Sequence, residues 1–148
     1  MIRQANKFDK TQIIEMLREF RNESPIQQYK ELENAPYINS LIDSIMAGRG
    51  VIFIADGIGM IMGLITPTIW DDKTLALYEL AWYVKQEHRS TSSLVGYRLL
   101  REYLNYAKRL KDEGKIKLYT ITKMTTSPDI KYEKFGFSKI EENWMNNA

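Results

Sequence analysis

The residues most able to do chemistry lie in one strand-loop-helix segment, residues 76–100. Residues 76–84, Ala-Leu-Tyr-Glu-Leu-Ala-Trp-Tyr-Val, predict a buried strand, and a long helix is expected from about Ser92 to Lys111. Between them stand four small hydroxyl residues, Ser90, Thr91, Ser92 and Ser93. The first N–H groups of a helix have no partner within the helix and carry partial positive charge, so they attract anions. The segment therefore predicts an anion site where the strand ends and the helix begins.

Glu79 is the acidic residue of that strand. Both alternating rows around it are apolar, namely Leu75/Leu77/Ala81/Tyr83 and Ala76/Tyr78/Leu80/Trp82/Val84. A strand that is apolar on both faces is typical of a sheet covered on both sides, where a carboxyl loses hydration and its pKa rises. Such a group suits a general base. The alternatives are a carboxylate bonded to a neighbouring strand, or one at a bulge that faces solvent.

Composition narrows the class of protein. A chain of 148 residues without cysteine is expected to form a single domain, residues 1–148, with no disulfide or thiolate metal site. No apolar leader or membrane-length apolar run is present, which favours a soluble, cytoplasmic protein with no metal. The net charge of +2 is unevenly spread: residues 1–74 carry 8 Lys/Arg against 10 Asp/Glu, and residues 75–148 carry 13 against 9. This balance makes nucleic acid an unlikely partner, and only the Lys/Arg-rich stretch 98–123 argues for one.

The remaining elements follow from local patterns. Asp9-Lys-Thr-Gln12 has the form of a capping box before a first helix, and Pro36 suits the first turn of a second helix that Gly48 ends. The Asp56-Gly57 pair predicts a hairpin between the apolar runs 51–55 and 58–65. After the long helix, a strand at 116–122, a short helix at 127–134 and a last strand through Ile140 are expected.

This order of elements resembles the GNAT superfamily of acyl-CoA-dependent N-acyltransferases. The resemblance covers nearly the whole chain, and its most specific motif is Tyr132-Glu-Lys-Phe-Gly-Phe137. Residues 83–89, Tyr-Val-Lys-Gln-Glu-His-Arg, look like the family's fourth strand leading to the Arg that opens a pyrophosphate loop. The resemblance implies an α/β (α+β) fold with a mixed central sheet of six to seven strands flanked by about four helices.

The resemblance also implies an activity and roles for residues. The chain would transfer an acetyl group from acetyl-CoA directly to a primary amine, with Glu79 as general base and Tyr132 as general acid towards the thiolate. Tyr132 could instead be a packed helix residue. The cofactor would be bound by backbone groups of the fourth strand and by the loop and helix start that follow. These residues are Trp82, Tyr83, Val84, Arg89, Ser90, Thr91, Ser92, Ser93, Leu94 and Gly96.

The loop departs from the family pattern Arg-x-x-Gly-x-Gly/Ala. If the pattern is aligned on Arg89, its two glycine positions fall on Ser92 and Leu94. If it is aligned on the helix instead, Gly96 becomes the second glycine and the loop is two residues longer than the family pattern. Arg89 could also be only solvated. The glycine-poor loop supports a second hypothesis, a catalytically silent GNAT-fold binding or assembly module. The amine acceptor and the oligomeric state stay open, and a homodimer is compatible with the sequence.

Overall fold

The Asp56-Gly57 turn joins the two strands at the centre of the fold. The computed structural model describes residues 1–89 and 94–148, and in it Gly57 has a φ of 68°, the left-handed region that glycine adopts without a Cβ clash. Strand β2 (Gly50–Ala55) pairs antiparallel with β3 (Gly59–Thr68) across this turn. The predicted hairpin is confirmed.

Within the described residues the sheet has five strands in chain order. Strand β1 (Ile2–Gln4) pairs with β2, β3 pairs antiparallel with β4 (Asp71–Val84), and β4 pairs parallel with β5 (Leu118–Thr120). The mixed sheet agrees with the expected fold class. The expected count of six to seven strands and about four helices is wrong for the described residues, which hold five strands and three α-helices.

Helices cover both faces of the sheet. Helices α1 (Lys10–Glu23) and α2 (Ala35–Ser44) lie on one face, and α3 (Val95–Asp112) lies on the other. The side chains of β2 alternate between them: Ile52 and Ile54 pack with α1 and α2, whereas Val51, Phe53 and Ala55 pack with α3. The covered sheet expected from the apolar rows is therefore present.

Two predictions of helix ends have different outcomes. Asn34 caps α2 by accepting from the Tyr37 N–H, and Pro36 lies in its first turn as predicted. The capping box lies earlier than predicted, between Asn6 and Asp9. Asn6 has the extended backbone that a cap requires, while Asp9 is already helical and its carboxylate accepts from the Asn6 N–H and from Arg3.

The C-terminal expectations are largely wrong. Residues 127–134 form only a short 3₁₀ turn, Tyr132–Phe135, and no strand is present among residues 136–148. Gly136 at φ 88° ends the turn after one revolution. Phe137 packs edge-on against Tyr119 with ring centroids 6.2 Å apart, but Ile140 is 72 % exposed. The chain beyond Phe137 therefore has no apolar row to bury against the sheet, and this burial is what stabilises most strands.

Candidate active site

A β-bulge at Leu80 changes which face of the sheet the side chains of β4 occupy. Met62 pairs with Ala81 but Gly63 pairs with Glu79, so Leu80 has no partner in β3. Before the bulge Leu77 packs on the α3 side; after it Trp82 and Val84 do so, and Ala81 and Tyr83 face α1 and α2. The two rows expected from simple alternation are therefore wrong, because one extra residue reverses the alternation.

The outer edge of β4 is open beyond this bulge. Strand β5 pairs with β4 only from Ala76 to Tyr78, and no other described strand pairs with that edge from Glu79 to Val84. Backbone N–H and C=O groups that no strand pairs are available to a ligand laid alongside. The strand that carries the predicted base thus has an unpaired edge that begins at the base itself.

Glu79 is buried at the start of the open edge. Its residue is 8 % exposed, and the Thr122 N–H donates to Oε1 over 3.1 Å. Burial raises the pKa of Glu79 to about 7, and the bond from Thr122 lowers it by a smaller amount. The prediction of a buried acid with a raised pKa is confirmed, and the bond to the chain just after β5 shows that Glu79 also ties β4 to that segment.

Tyr132 is within electrostatic reach of Glu79. It begins the Tyr132–Phe135 turn and is half-buried. Burial raises the pKa of Tyr132, and the charge of the Glu79 carboxylate raises it further. The two side chains to which the sequence assigned acid and base roles therefore influence each other, although they are 53 positions apart in the chain.

Three consecutive residues of β4 were predicted to bind the cofactor. The Trp82 side chain faces α3, and its indole Nε1 is buried with no hydrogen-bond partner in residues 1–89 and 94–148. Tyr83 points to the other face, where burial and then bonds with Glu23 and Glu19 raise the pKa of its hydroxyl. Val84 packs on the α3 side and its carbonyl accepts from Arg89. Of the three side chains, Trp82 offers a buried donor without a partner, which points to a missing acceptor.

Arg89 is engaged at the exit of β4. Its Nε donates to the Val84 carbonyl over 2.7 Å, and its guanidinium pairs with Glu23 at 2.8 Å and lies over the Tyr83 ring. These contacts direct the guanidinium towards the end of α1. Its predicted contact with a phosphate stays a prediction, and would require a phosphate to compete with Glu23.

The predicted anion loop lies mostly outside the described residues, because Ser90, Thr91, Ser92 and Ser93 belong to the gap. Leu94, the next residue, has φ 53° and ψ 39°, is 56 % exposed, and begins α3 without a side-chain cap bond. This left-handed conformation favours glycine and is unfavourable for leucine. The geometry thus agrees with the count from Arg89, which places a family glycine at position 94.

The packing between α3 and the sheet does not require a glycine at position 96. A Cβ at that position would lie 3.7 Å from Val84 Cγ2 and 3.8 Å from Trp82 Cζ2, which are ordinary contacts. The place of Gly96 in the first turn of α3 still puts its backbone N–H among those that lack a partner within the helix.

A basic groove lies between α3 and the Tyr132–Phe135 turn. It has a volume of about 730 Å³, and the Tyr97 and Phe135 rings stack in it with centroids 6.1 Å apart. The cationic side chains that line it are Arg98, Arg101, Lys108 and Lys134. The sequence showed the Lys/Arg-rich stretch 98–123 but did not reveal the groove, because its other wall comes from residues 134–136.

The described ranges hold neither a metal-binding cluster nor a helix that could span a membrane. In residues 1–89 and 94–148 no cluster of three or more metal-binding side chains is present. Across the same ranges, no helix has both the length and the apolar character that crossing a membrane requires. The predicted cytoplasmic location stays a prediction.

Comparison with known proteins supports the fold. No family model matches the chain, and neither does any curated protein. A solved structure described as a predicted acetyltransferase with acetyl-CoA, from Clostridium acetobutylicum, has a TM-score of 0.71 at 18% identity, covering 99% of this chain and 95% of that one. A transcriptional regulator from Bacillus halodurans has a TM-score of 0.67 at 18% identity, covering 100% and 99%.

A third structure extends the range of similar proteins. An aminoglycoside acetyltransferase from an uncultured soil metagenomic sample has a TM-score of 0.63 at 13% identity, covering 100% of this chain and 97% of that one. Identities of this size show the fold alone. The chain shares the fold of these acetyltransferases, and the mixed α/β fold expected from the sequence is confirmed apart from its strand and helix counts.

Proposed function

We propose that the chain is an N-acetyltransferase that moves an acetyl group from acetyl-CoA directly to a primary amine of a small molecule or a protein. The observation that carries the proposal is the burial of Glu79 where the edge of β4 becomes unpaired, and the charge effect of Glu79 on Tyr132 supports it. The similar fold of a protein described with acetyl-CoA supports the choice of acyl donor.

The described residues offer groups that could bind three parts of acetyl-CoA. The open edge of β4 offers backbone groups to the pantetheine and the acyl carbonyl, and the indole N–H of Trp82 offers a donor that has no acceptor in the described residues. The start of α3 offers N–H groups to the pyrophosphate. The basic groove between α3 and Tyr132–Phe135 would accept the remaining phosphate.

The chemistry requires two proton transfers. The amine binds as an ammonium ion and must lose a proton before it can attack the acyl carbon, and an ionised Glu79 accepts that proton. The C–N bond forms and the C–S bond breaks, and Tyr132 donates a proton to the departing sulfur. Tyr132 regains a proton from the nitrogen that becomes the amide, so one proton remains on Glu79 and is released to solvent.

Release of free thiol from acetyl-CoA across a panel of primary amines tests the proposal. We expect Glu79→Gln to lower kcat/KM by about 10²-fold or more, and Tyr132→Phe to lower kcat by about tenfold or more. Because Glu79 must be ionised and its pKa is about 7, kcat/KM of the unchanged chain should rise with pH through that value. Glu87→Gln, in the exposed turn after β4, and Tyr106→Phe, on α3, are the matched controls and should leave both constants unchanged.

The second candidate is a catalytically silent module with the same fold. It is favoured by the exposed Leu94 at a position suited to glycine and by the pairing of Arg89 with Glu23. This candidate would be supported if acetyl-CoA binds but no amine of the panel releases thiol, and if Glu79→Gln leaves thiol release at the same background level. No thermal stabilisation by millimolar acetyl-CoA would contradict the acetyltransferase.

A further inference from the structure

The hydroxyl of Tyr103 is buried without a hydrogen-bond partner. Tyr103 lies on α3, its residue is 0% exposed, and its oxygen has no partner among the described residues. An unpaired buried hydroxyl is unfavourable, and phenylalanine would fill the same space without it. Buried hydroxyls normally have a hydrogen-bond partner, so one is expected for this oxygen.

The hydroxyl lies over the strand position that faces Glu79. A Cβ built on Gly63 would be 2.6 Å from the Tyr103 hydroxyl oxygen, and Gly63 is the β3 residue that pairs with Glu79. The Cβ positions of paired residues are about 5 Å apart and lie on the same face. The hydroxyl therefore lies on the same face of the sheet as the Glu79 side chain, above the neighbouring strand.

The groups facing Glu79 come from three elements. Tyr103 faces it from α3, Tyr132 from the Tyr132–Phe135 turn, and the Thr122 N–H from the segment after β5. Burial, and then the Glu79 carboxylate, raise the pKa of Tyr103, so this phenol stays protonated and able to donate. An ionised carboxylate at this depth needs more donors than the one from Thr122.

We infer that Tyr103 is a positioning residue for Glu79, whose ionised carboxylate it holds by donating through one bound water. The inference rests on the proposed function for the role of Glu79 as base. The hydrogen bond from Tyr103 would favour the ionised form of Glu79 even in the protein without substrate.

The test is the titration of Glu79 itself in the substrate-free protein, followed by carbon-13 NMR of the carboxyl group and assigned with Glu79→Gln. Tyr103→Phe removes the donor, so the pKa of Glu79 should move upward by about half a unit or more. Tyr106→Phe is the matched control, because Tyr106 lies on the same helix and its hydroxyl contacts the Gly50 carbonyl at 3.4 Å. That variant should leave the titration unchanged.

An unchanged Glu79 titration in Tyr103→Phe, together with a higher melting temperature, would overturn the inference and leave Tyr103 as a packing residue. If Tyr103→Phe does not yield a spectrum of adequate quality, a double-mutant cycle of Tyr103→Phe and Glu79→Gln measures whether the two side chains are coupled. Non-additive free energies of unfolding at pH 8 are expected, and additive ones would contradict the coupling. Neither experiment uses acetyl-CoA. The Glu79 titration therefore tests the role of Tyr103 independently of whether the thiol-release assay detects acetyltransferase activity.

Discussion

Single residues at the candidate site are held in conformations that the rest of the fold imposes. Leu94 is the clearest case, since it is the only non-glycine residue among those described with a positive φ. A left-handed leucine costs about 1 kcal/mol relative to glycine, and its side chain is exposed beside the helix start rather than turned into the core. The sequence therefore retains an unfavourable residue at the entry to α3.

Replacing Leu94 tests whether this conformation limits cofactor binding. We expect Leu94→Gly to keep or raise the free energy of unfolding by up to about 1 kcal/mol, and to tighten binding of acetyl-CoA measured by calorimetry. Leu94→Ala is the control, because it removes the side chain but keeps the left-handed strain. Equal affinities for the glycine and alanine variants would show that side-chain bulk, not backbone conformation, is what matters at this position.

Elements of the fold meet most closely at glycines of the central hairpin. A Cβ on Gly50 would lie 2.0 Å from the backbone oxygen of Gly63, whereas a Cβ on Gly96 would meet only side chains at ordinary distances. Backbone atoms in a paired strand cannot move aside as a flexible side chain can. The close contacts are thus within the sheet and not between α3 and the sheet.

Alanine substitutions compare these two glycines directly. Gly50→Ala should lower the free energy of unfolding by about 2 kcal/mol or more, because the clash forces β2 and β3 apart. Gly96→Ala should be neutral or stabilising, since alanine favours a helix. Urea denaturation measures both, and a similar loss for the two variants would contradict the packing described for α3.

The molecule contains two buried carboxyl groups, Asp9 and Glu79, whose pKa values shift in opposite directions. Asp9 lies in a network with Arg3, Gln12 and Asp56 that joins β1, the start of α1 and the turn between β2 and β3. Bonds from Arg3 lower the pKa of Asp9 from 3.8 to about 2, against a smaller opposing effect of burial. Burial raises the pKa of Glu79 from 4.5 to about 7.

The two shifts predict how stability depends on pH. Between pH 4.5 and 7 the folded chain holds a proton on Glu79 that the unfolded chain has lost, so stability should fall as pH rises, by at most about 3 kcal/mol. Below pH 3.8 the unfolded chain binds a proton that Asp9 in the folded chain resists, so stability should fall as pH drops towards 2. In denaturation at several pH values, Glu79→Gln should flatten the first slope and Asp9→Asn the second. Unchanged slopes would show that other groups set the pH dependence.

Local sequence patterns predicted the structures that depend on neighbouring residues. They failed for structures that depend on contacts between segments distant in the chain. Asp56-Gly57 specifies its hairpin because the turn conformation depends on those two residues. The bulge at Leu80 depends on how β4 pairs with β3, so alternation alone placed Tyr83, and not Trp82, on the face of Leu77. The expected last strand failed because neither β propensity nor turn residues reveal whether an apolar surface is available to cover it. The basic groove was missed for the same reason, since its walls are about 30 residues apart in the chain.

The most direct measurement follows the three tryptophan indole N–H signals by NMR while acetyl-CoA is added. Trp82 lies beside the open edge of β4 with its Nε1 buried and unpaired, whereas Trp70 and Trp144 are exposed elsewhere. Tryptophan-to-phenylalanine variants assign the signals. We expect the Trp82 signal to shift with a saturable dependence on acetyl-CoA while the other two stay in place. If no signal moves at millimolar acetyl-CoA, or only those of Trp70 or Trp144 move, the open edge of β4 is not the acetyl-CoA site.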